Sequence, residues 1–285
     1  MSNSETKGKN RVVFLVLSFL LSVFLLITSA TFIISGFVFS EDSVITSLRA
    51  VNFHDDVYEH LLYSIGDTLI PTGVPQHIID DAVTPDIVYT DINAHVVSVF
   101  GNNLPTLQRD LLAETLNNNI DNFLPEIGIS RADVGYGVID DIVEAVIDNY
   151  NDYVNHPFIT QIARISNLFA NHMRLLIAMG VVGILITMVI LYLSNRNLKY
   201  LTFRYFAFSF GATALMLITA PLALRIWGGY QRLGIGPAFI HNFIVTHIER
   251  TVVSFLLTGS IFIALYLIFI IIFARSYRKQ TAATQ

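Results

Sequence analysis

The stretch RVVFLVLSFLLSVFLLITSATFIISGFVFSED, residues 11–42, decides the fold. Between Arg11 and Glu41 it holds no charged residue. Residues 12–39 number 28. As a helix they span about 42 Å, more than a bilayer core requires. A cleavable signal has a shorter apolar core followed by a small-residue site. Thr28-Ser29-Ala30 has that look, but cutting there would leave the apolar TFIISGFVF as a new, exposed terminus. The expectation is therefore an uncleaved anchor.

Three further apolar stretches follow, and their cores at 175–194, 205–224 and 251–274 carry no charge. Each is long enough to span. Pro221 is tolerable in a membrane helix. The spacing predicts spans at 12–39, 173–194, 205–226 and 251–274. Four spans put both termini on one side, and the cations choose the side. All four lysines, Lys7, Lys9, Lys199 and Lys279, fall in 1–11, 195–204 or 275–285, as do Arg11, Arg196, Arg204, Arg275 and Arg278. The positive-inside rule makes these segments cytoplasmic. Residues 40–172 and the loop 227–250 then face outward across a plasma membrane. Segment 40–172 carries 20 acidic residues against four arginines, a formal net charge of −16, the polarity opposite to the cytoplasmic edges.

Composition agrees with this reading. The chain of 285 residues is 53% hydrophobic and only 14% charged, where soluble domains carry about a quarter. It has no cysteine, which removes disulfides, thiol nucleophiles and zinc-thiolate sites together. It also has no Asn-x-Ser/Thr acceptor, which suits a bacterial envelope better than a eukaryotic secretory route.

Segment 40–172 is long enough for one domain with its own core, and its patterns are helical. Val138, Ile139, Ile142, Val143, Val146, Ile147 and Tyr150 form a stripe of period 3.6, with Ile142 and Val146 at its centre. Ser130 and Asp133 resemble a capping box at its start. A second stripe runs Leu107, Leu111, Leu112, Leu116, Ile120, Phe123 and Leu124, stopping at Pro125. Thr84-Pro85-Asp86 reads as a helix start. Val57, Leu61, Leu62, Ile65 and Leu69 mark another helix, ending before Pro71. The last outward helix is expected to run into the second span. The expected fold class is all-α: a polytopic membrane protein with four transmembrane helices and, between the first two, an extracytoplasmic domain of about five helices.

FSEDSVITSLRAVNFHDDVYEHL (39–61) and IPTGVPQHIIDDAVTPDIVYTDINAHVVSVF (70–100) resemble the outward part of uncharacterised bacterial four-pass envelope membrane proteins. There a first membrane helix precedes a similar acidic, helical, proline-punctuated domain. The resemblance covers about half the chain. It implies an architecture and no activity, so no functional residue is carried over.

The predicted spans hold no Asp, Glu, Lys or His in their uncharged cores, which argues against a proton relay or intramembrane catalysis. Asp56 and His60, four apart on one helix face, could supply two metal ligands, with His54 nearby and His77 or Asp80 as a distant third. No H-E-x-x-H or comparable spacing accompanies them, and solvated surface residues are the blander reading. The doublets Asp55-Asp56, Asp80-Asp81 and Asp140-Asp141, and Asp148 with Asp152, invite calcium. The loop lacks the glycine and glutamate of an EF-hand. No phosphate loop, no catalytic serine motif and no cofactor motif occurs. In loop 227–250, Trp227 and Tyr230 read as interface aromatics, while Arg232 and Arg250, with Arg225 at the end of the third span, would either engage lipid headgroups or dock the loop on the acidic domain.

The expected function is that of a non-enzymatic membrane protein whose outward domain binds an envelope partner or ligand, as a sensor-like protein, scaffold or accessory subunit. Its expected partners are the lipid bilayer and a protein or cell-envelope component, with no nucleic acid. A homo-oligomer stays open. The alternative is an envelope-modifying enzyme with a metal-assisted site on the outward domain.

Overall fold

The structure is a computed structural model that describes residues 2–80, 82–103, 109–135, 137–196 and 199–282. Its helices in chain order are α1 (Ser2–Ile33), α2 (Glu41–Ala50), α3 (Phe53–Leu69), α4 (His77–Asp80) and α5 (Pro85–Phe100). They continue as α6 (Arg109–Glu126), α7 (Val138–Val154), α8 (Pro157–Ser194), α9 (Lys199–Trp227) and α10 (Ala238–Ala282). No strand occurs among the described residues. Four stretches are long and apolar enough to cross a bilayer: Val12–Val38, Pro157–Ser194, Tyr200–Arg232 and Ala238–Lys279. The protein is all-helical, with four helices of membrane-spanning character.

The chain divides into two compact units. The first comprises Met1–Val38, Phe169–Leu233 and His247–Gln285. Hydroxyls join α1 to α9. Ser209 Oγ donates to the Ser18 carbonyl at 2.7 Å, Ser18 Oγ donates to the Tyr205 carbonyl at 3.0 Å, and Thr213 Oγ1 donates to the Ser22 carbonyl at 3.2 Å. Short side chains let the two backbones approach, and the hydroxyls find acceptors where lipid would offer none. Glycine serves the same end where α8 meets α1. A Cβ at Gly180 would fall on the Thr28 hydroxyl, and one at Gly183 would lie 2.9 Å from the Phe24 ring. Between α9 and α10 the contact is aromatic, with the Phe210 and Phe269 rings stacked at 5.2 Å.

The second unit comprises Phe39–Leu168 and Gly234–Thr246. Its core centres on α3, which buries Phe53, Val57, Leu61, Ile65 and Leu69 against α2, α5 and α7. Helix α5 begins where the sequence predicts: Thr84 Oγ1 accepts from the Ile87 amide and Pro85 is the first helical residue. Helix α8 runs unbroken through 38 residues from Pro157, as expected for a helix continuing into the second span.

Other expectations need correction. Ser130 and Asp133 do pair, the Ser130 amide donating to Asp133 Oδ2 at 3.0 Å, but they close a turn. Helix α7 starts only at Val138, after Gly137 takes φ 84°. A glycine there enters a left-handed conformation at no steric cost, so the helix cannot begin earlier. On α7, Ile139, Val143, Val146, Ile147 and Tyr150 are buried, whereas Ile142 is half-buried and Val138 exposed. On α6, Leu112, Leu116, Ile120 and Leu124 are buried, but Leu111 is exposed. Helix α6 also runs through Pro125 to Glu126. Leu107 and Asp81 lie outside the described residues.

Candidate functional site

The four residues nominated as metal ligands take separate environments. His54 lies in the first turn of α3, buried, its ring 4.5 Å from that of Tyr89 on α5. Asp56 is half-buried on the same helix. His60 is exposed, its ring 5.3 Å from Phe239, and His77 is exposed on α4 beside Phe123 at 6.2 Å. Each histidine therefore faces a ring on a different helix. Among the described residues, no three of His, Cys, Asp and Glu converge so as to hold a metal ion. Several of the acidic candidates meet cations: Asp148 lies 3.7 Å from Arg109 and Asp140 3.7 Å from Arg131. Asp121 pairs with Arg131 as well.

Other polar residues do converge, on a buried layer that α5 brings into the core. Asp91 falls between the buried apolar positions Val88 and Ile92, and His95 comes just before Val96. The Tyr150 hydroxyl donates to Asp91 Oδ2 at 2.7 Å. Burial first, and the adjacent Asp91 second, push the Tyr150 hydroxyl far above its ordinary value. His95 Nε2 lies 3.3 Å from Thr160 Oγ1. The ring nitrogens His95 Nδ1 and His156 Nδ1 are buried without a hydrogen-bond partner. Burial pushes His95, His156 and His54 downward, and for His95 the neighbouring His156 adds to the effect. His54 is pushed down to about 4, mainly by burial, with Asp55 opposing and Arg49 assisting. Asp91, His95 and Tyr150 are buried, whereas His156 is half-buried and Thr160 exposed, so the layer reaches the surface at its α8 end. The signal for them was present in the sequence: two polar residues interrupt the apolar stripe of α5.

The segment Gly234–Thr246 belongs to this second unit. Within that unit its contacts are aromatic. Phe239 and Phe243 are buried, and Phe53 meets them edge-on at 5.3 Å and 6.3 Å. Phe158 lies 5.0 Å from Phe243. Aromatic pairs of this kind contribute about 0.5–1.5 kcal/mol beyond area burial. Phe239→Ala should therefore loosen the first turns of α10. Hydrogen exchange at amides 240–246 is expected to rise by more than about tenfold while α6 amides stay unchanged. Equal protection in parent and variant would remove the anchoring role.

Two open grooves flank the end of α3. One, of about 510 Å³, is lined by Thr68, Leu69, Pro71 and Thr72 with Val138, Asp141, Ile142 and Ala145 of α7. The other, of about 450 Å³, lies along α3 itself, between Glu59 and Ile70, and is closed by Val74 and Gln76. Tyr63 and Ile70 stand at its mouth with 72% and 75% of their surface exposed. Compared with known proteins, the chain matches no protein-family model, no curated protein and no solved structure.

Proposed function

We propose that the chain is a four-pass plasma-membrane protein with both termini in the cytoplasm and segment 40–172 outside, where it binds an envelope component without catalysing a reaction. It would act as a sensor-like protein, a scaffold or an accessory subunit. One observation carries the reading: a helical unit with its own core has a net charge of −16 over 40–172, while every lysine lies beyond it in the predicted cytoplasmic segments. Charge asymmetry of this kind follows the positive-inside rule. The resemblance to four-pass envelope proteins points the same way. The exposed grooves at the end of α3 supply a surface for a partner. The metal-assisted alternative draws no support from His54, Asp56, His60 and His77, which face different neighbours.

Orientation is the testable part. An impermeant amine reagent added to sealed cells should leave Lys7, Lys199 and Lys279 unlabelled, and should label them once the membrane is opened. Labelling of these lysines in sealed cells would overturn the orientation, and with it the proposed location of the binding unit.

A further inference from the structure

Helix α3 buries one side in the core; on the other, Leu62 is half-buried against that core, while Tyr63 and, one residue past the helix end, Ile70 stay exposed. Phe53, Val57, Leu61, Ile65 and Leu69 fill the core. The opposite stripe, at spacings of three and four, reads Glu59, Leu62, Tyr63, Gly66, Asp67 and Ile70, and it lines the groove of about 450 Å³. Gln76 forms one wall: its Nε2 donates to the Leu62 carbonyl at 3.4 Å, and a Cβ on Gly66 would lie 3.2 Å from its Oε1. The groove thus has a defined edge, an apolar floor and a rim of carboxylates, with no cation among its lining residues.

Charge decides what fits there. Segment 40–172 has four arginines, and three are engaged away from this groove. Arg49 lies over the Tyr89 ring, Arg109 faces Asp148, and Arg131 pairs with Asp121. No cation lines the groove, which leaves Glu59 and Asp67 to be matched from outside. A second copy of this chain docking by the same face would set Glu59 and Asp67 against themselves. An anionic lipid surface would meet the same repulsion. A basic segment meets neither obstacle.

We propose that the α3 groove receives a basic amphipathic segment of another polypeptide. Its aliphatic side chains cover Tyr63 and Ile70, and its lysines or arginines meet Glu59 and Asp67. Exposed ion pairs add little affinity, so burial of the two apolar side chains holds the partner. The carboxylates select its sign and impose a salt dependence. This inference rests on the outward binding reading and names the surface and partner class within it.

The test uses the full chain in nanodiscs of zwitterionic lipid, with empty discs as background. The probes are a labelled amphipathic helix of leucine and lysine and its leucine–glutamate counterpart. The lysine peptide should bind, more weakly as sodium chloride is raised, and the glutamate peptide should not. Tyr63→Ala with Ile70→Ala should weaken binding at least about tenfold. Glu59→Gln with Asp67→Asn should weaken it severalfold and flatten the salt dependence. All four positions are exposed, so the variants should melt like the parent. Equal binding of both peptides, or parent-like binding by both double variants, would overturn the proposal. So would capture of the protein by anionic vesicles through Tyr63 and Ile70 in preference to the peptide. A Tyr63→Cys variant separates this from the underlying reading. An impermeant maleimide should label it in sealed cells. Shielding there sinks the outward location, whereas labelling without peptide binding sinks only the groove assignment.

Discussion

Val146→Asp should unfold the helical unit, whereas Ile142→Asp, four residues away on the same helix, should leave it folded. Val146 is 1% exposed in the core formed by α3, α6 and α7. A carboxylate there loses its water and gains no cation, at a cost of several kcal/mol. That approaches the whole stability of a small domain, about 5–15 kcal/mol. Ile142 is half-buried and lines the open groove beside Thr68 and Thr72, where water reaches it. A charge at that position can stay partly hydrated, so its cost, lost apolar contact included, should be about 1–2 kcal/mol, well below that at Val146. Limited proteolysis of the full chain in nanodiscs reads the difference. The Val146 variant should be cut rapidly within 40–168, and the Ile142 variant at close to the parent rate. If Val146→Asp resists the protease like the parent, the assigned core face of α7 is wrong.

Mild acid should destabilise the same unit, with His54 carrying the largest identified share. In the unfolded chain His54 titrates near 6.5, and in the folded unit it is pushed down to about 4. Above pH 6.5 neither state holds the proton, and the contribution to stability is complete. As pH falls from 6.5 toward 4, the unfolded chain takes up a proton that the buried ring refuses, so stability falls. At roughly 1.4 kcal/mol per pKa unit, the loss approaches about 3 kcal/mol once pH reaches 4. His95 and His156 are pushed the same way and add to it. Carboxylates titrate mostly near pH 4, so the interval just below 6.5 isolates the histidines. The thermal midpoint should drop across that interval, and His54→Leu should flatten the drop. An acid response unchanged in His54→Leu would show that the ring does not govern it.

The sequence was most informative where one physical demand dominates. Twenty or more uncharged apolar residues have few fates other than a membrane-spanning helix, because only a helix satisfies its own backbone in lipid. The four apolar helices follow from that demand. The start of α5 was similarly plain, since Thr84 and Pro85 act through local geometry. Amphipathic stripes located α3, α6 and α7 but ranked their residues poorly. Periodicity reports a face about 100° wide and does not say where packing stops along it. Leu111 and Ile142 lie on those stripes, yet Leu111 is exposed and Ile142 is only half-buried at the edge of the core.

The candidate site was less accessible to sequence. His54 and His60 look like one cluster along the chain, and α3 directs them to different neighbours: His54 inward to Tyr89 and His60 outward beside Phe239. The pairing of Asp91 with Tyr150 joins residues 59 apart. Seating Phe239 against Phe53 depends on α10 reaching back to α3. The chain's own residues determined helical character, the apolar spans and the charge asymmetry, because each depends on neighbours within a few turns. On α3 the sequence already marked Val57, Leu61, Ile65 and Leu69, and tertiary structure decided that Phe53 and His54 join them while Leu62 sits half-buried at the edge. Spacing along one helix cannot say how far burial extends around it; the arrival of α2, α5 and α7 on one side sets that limit.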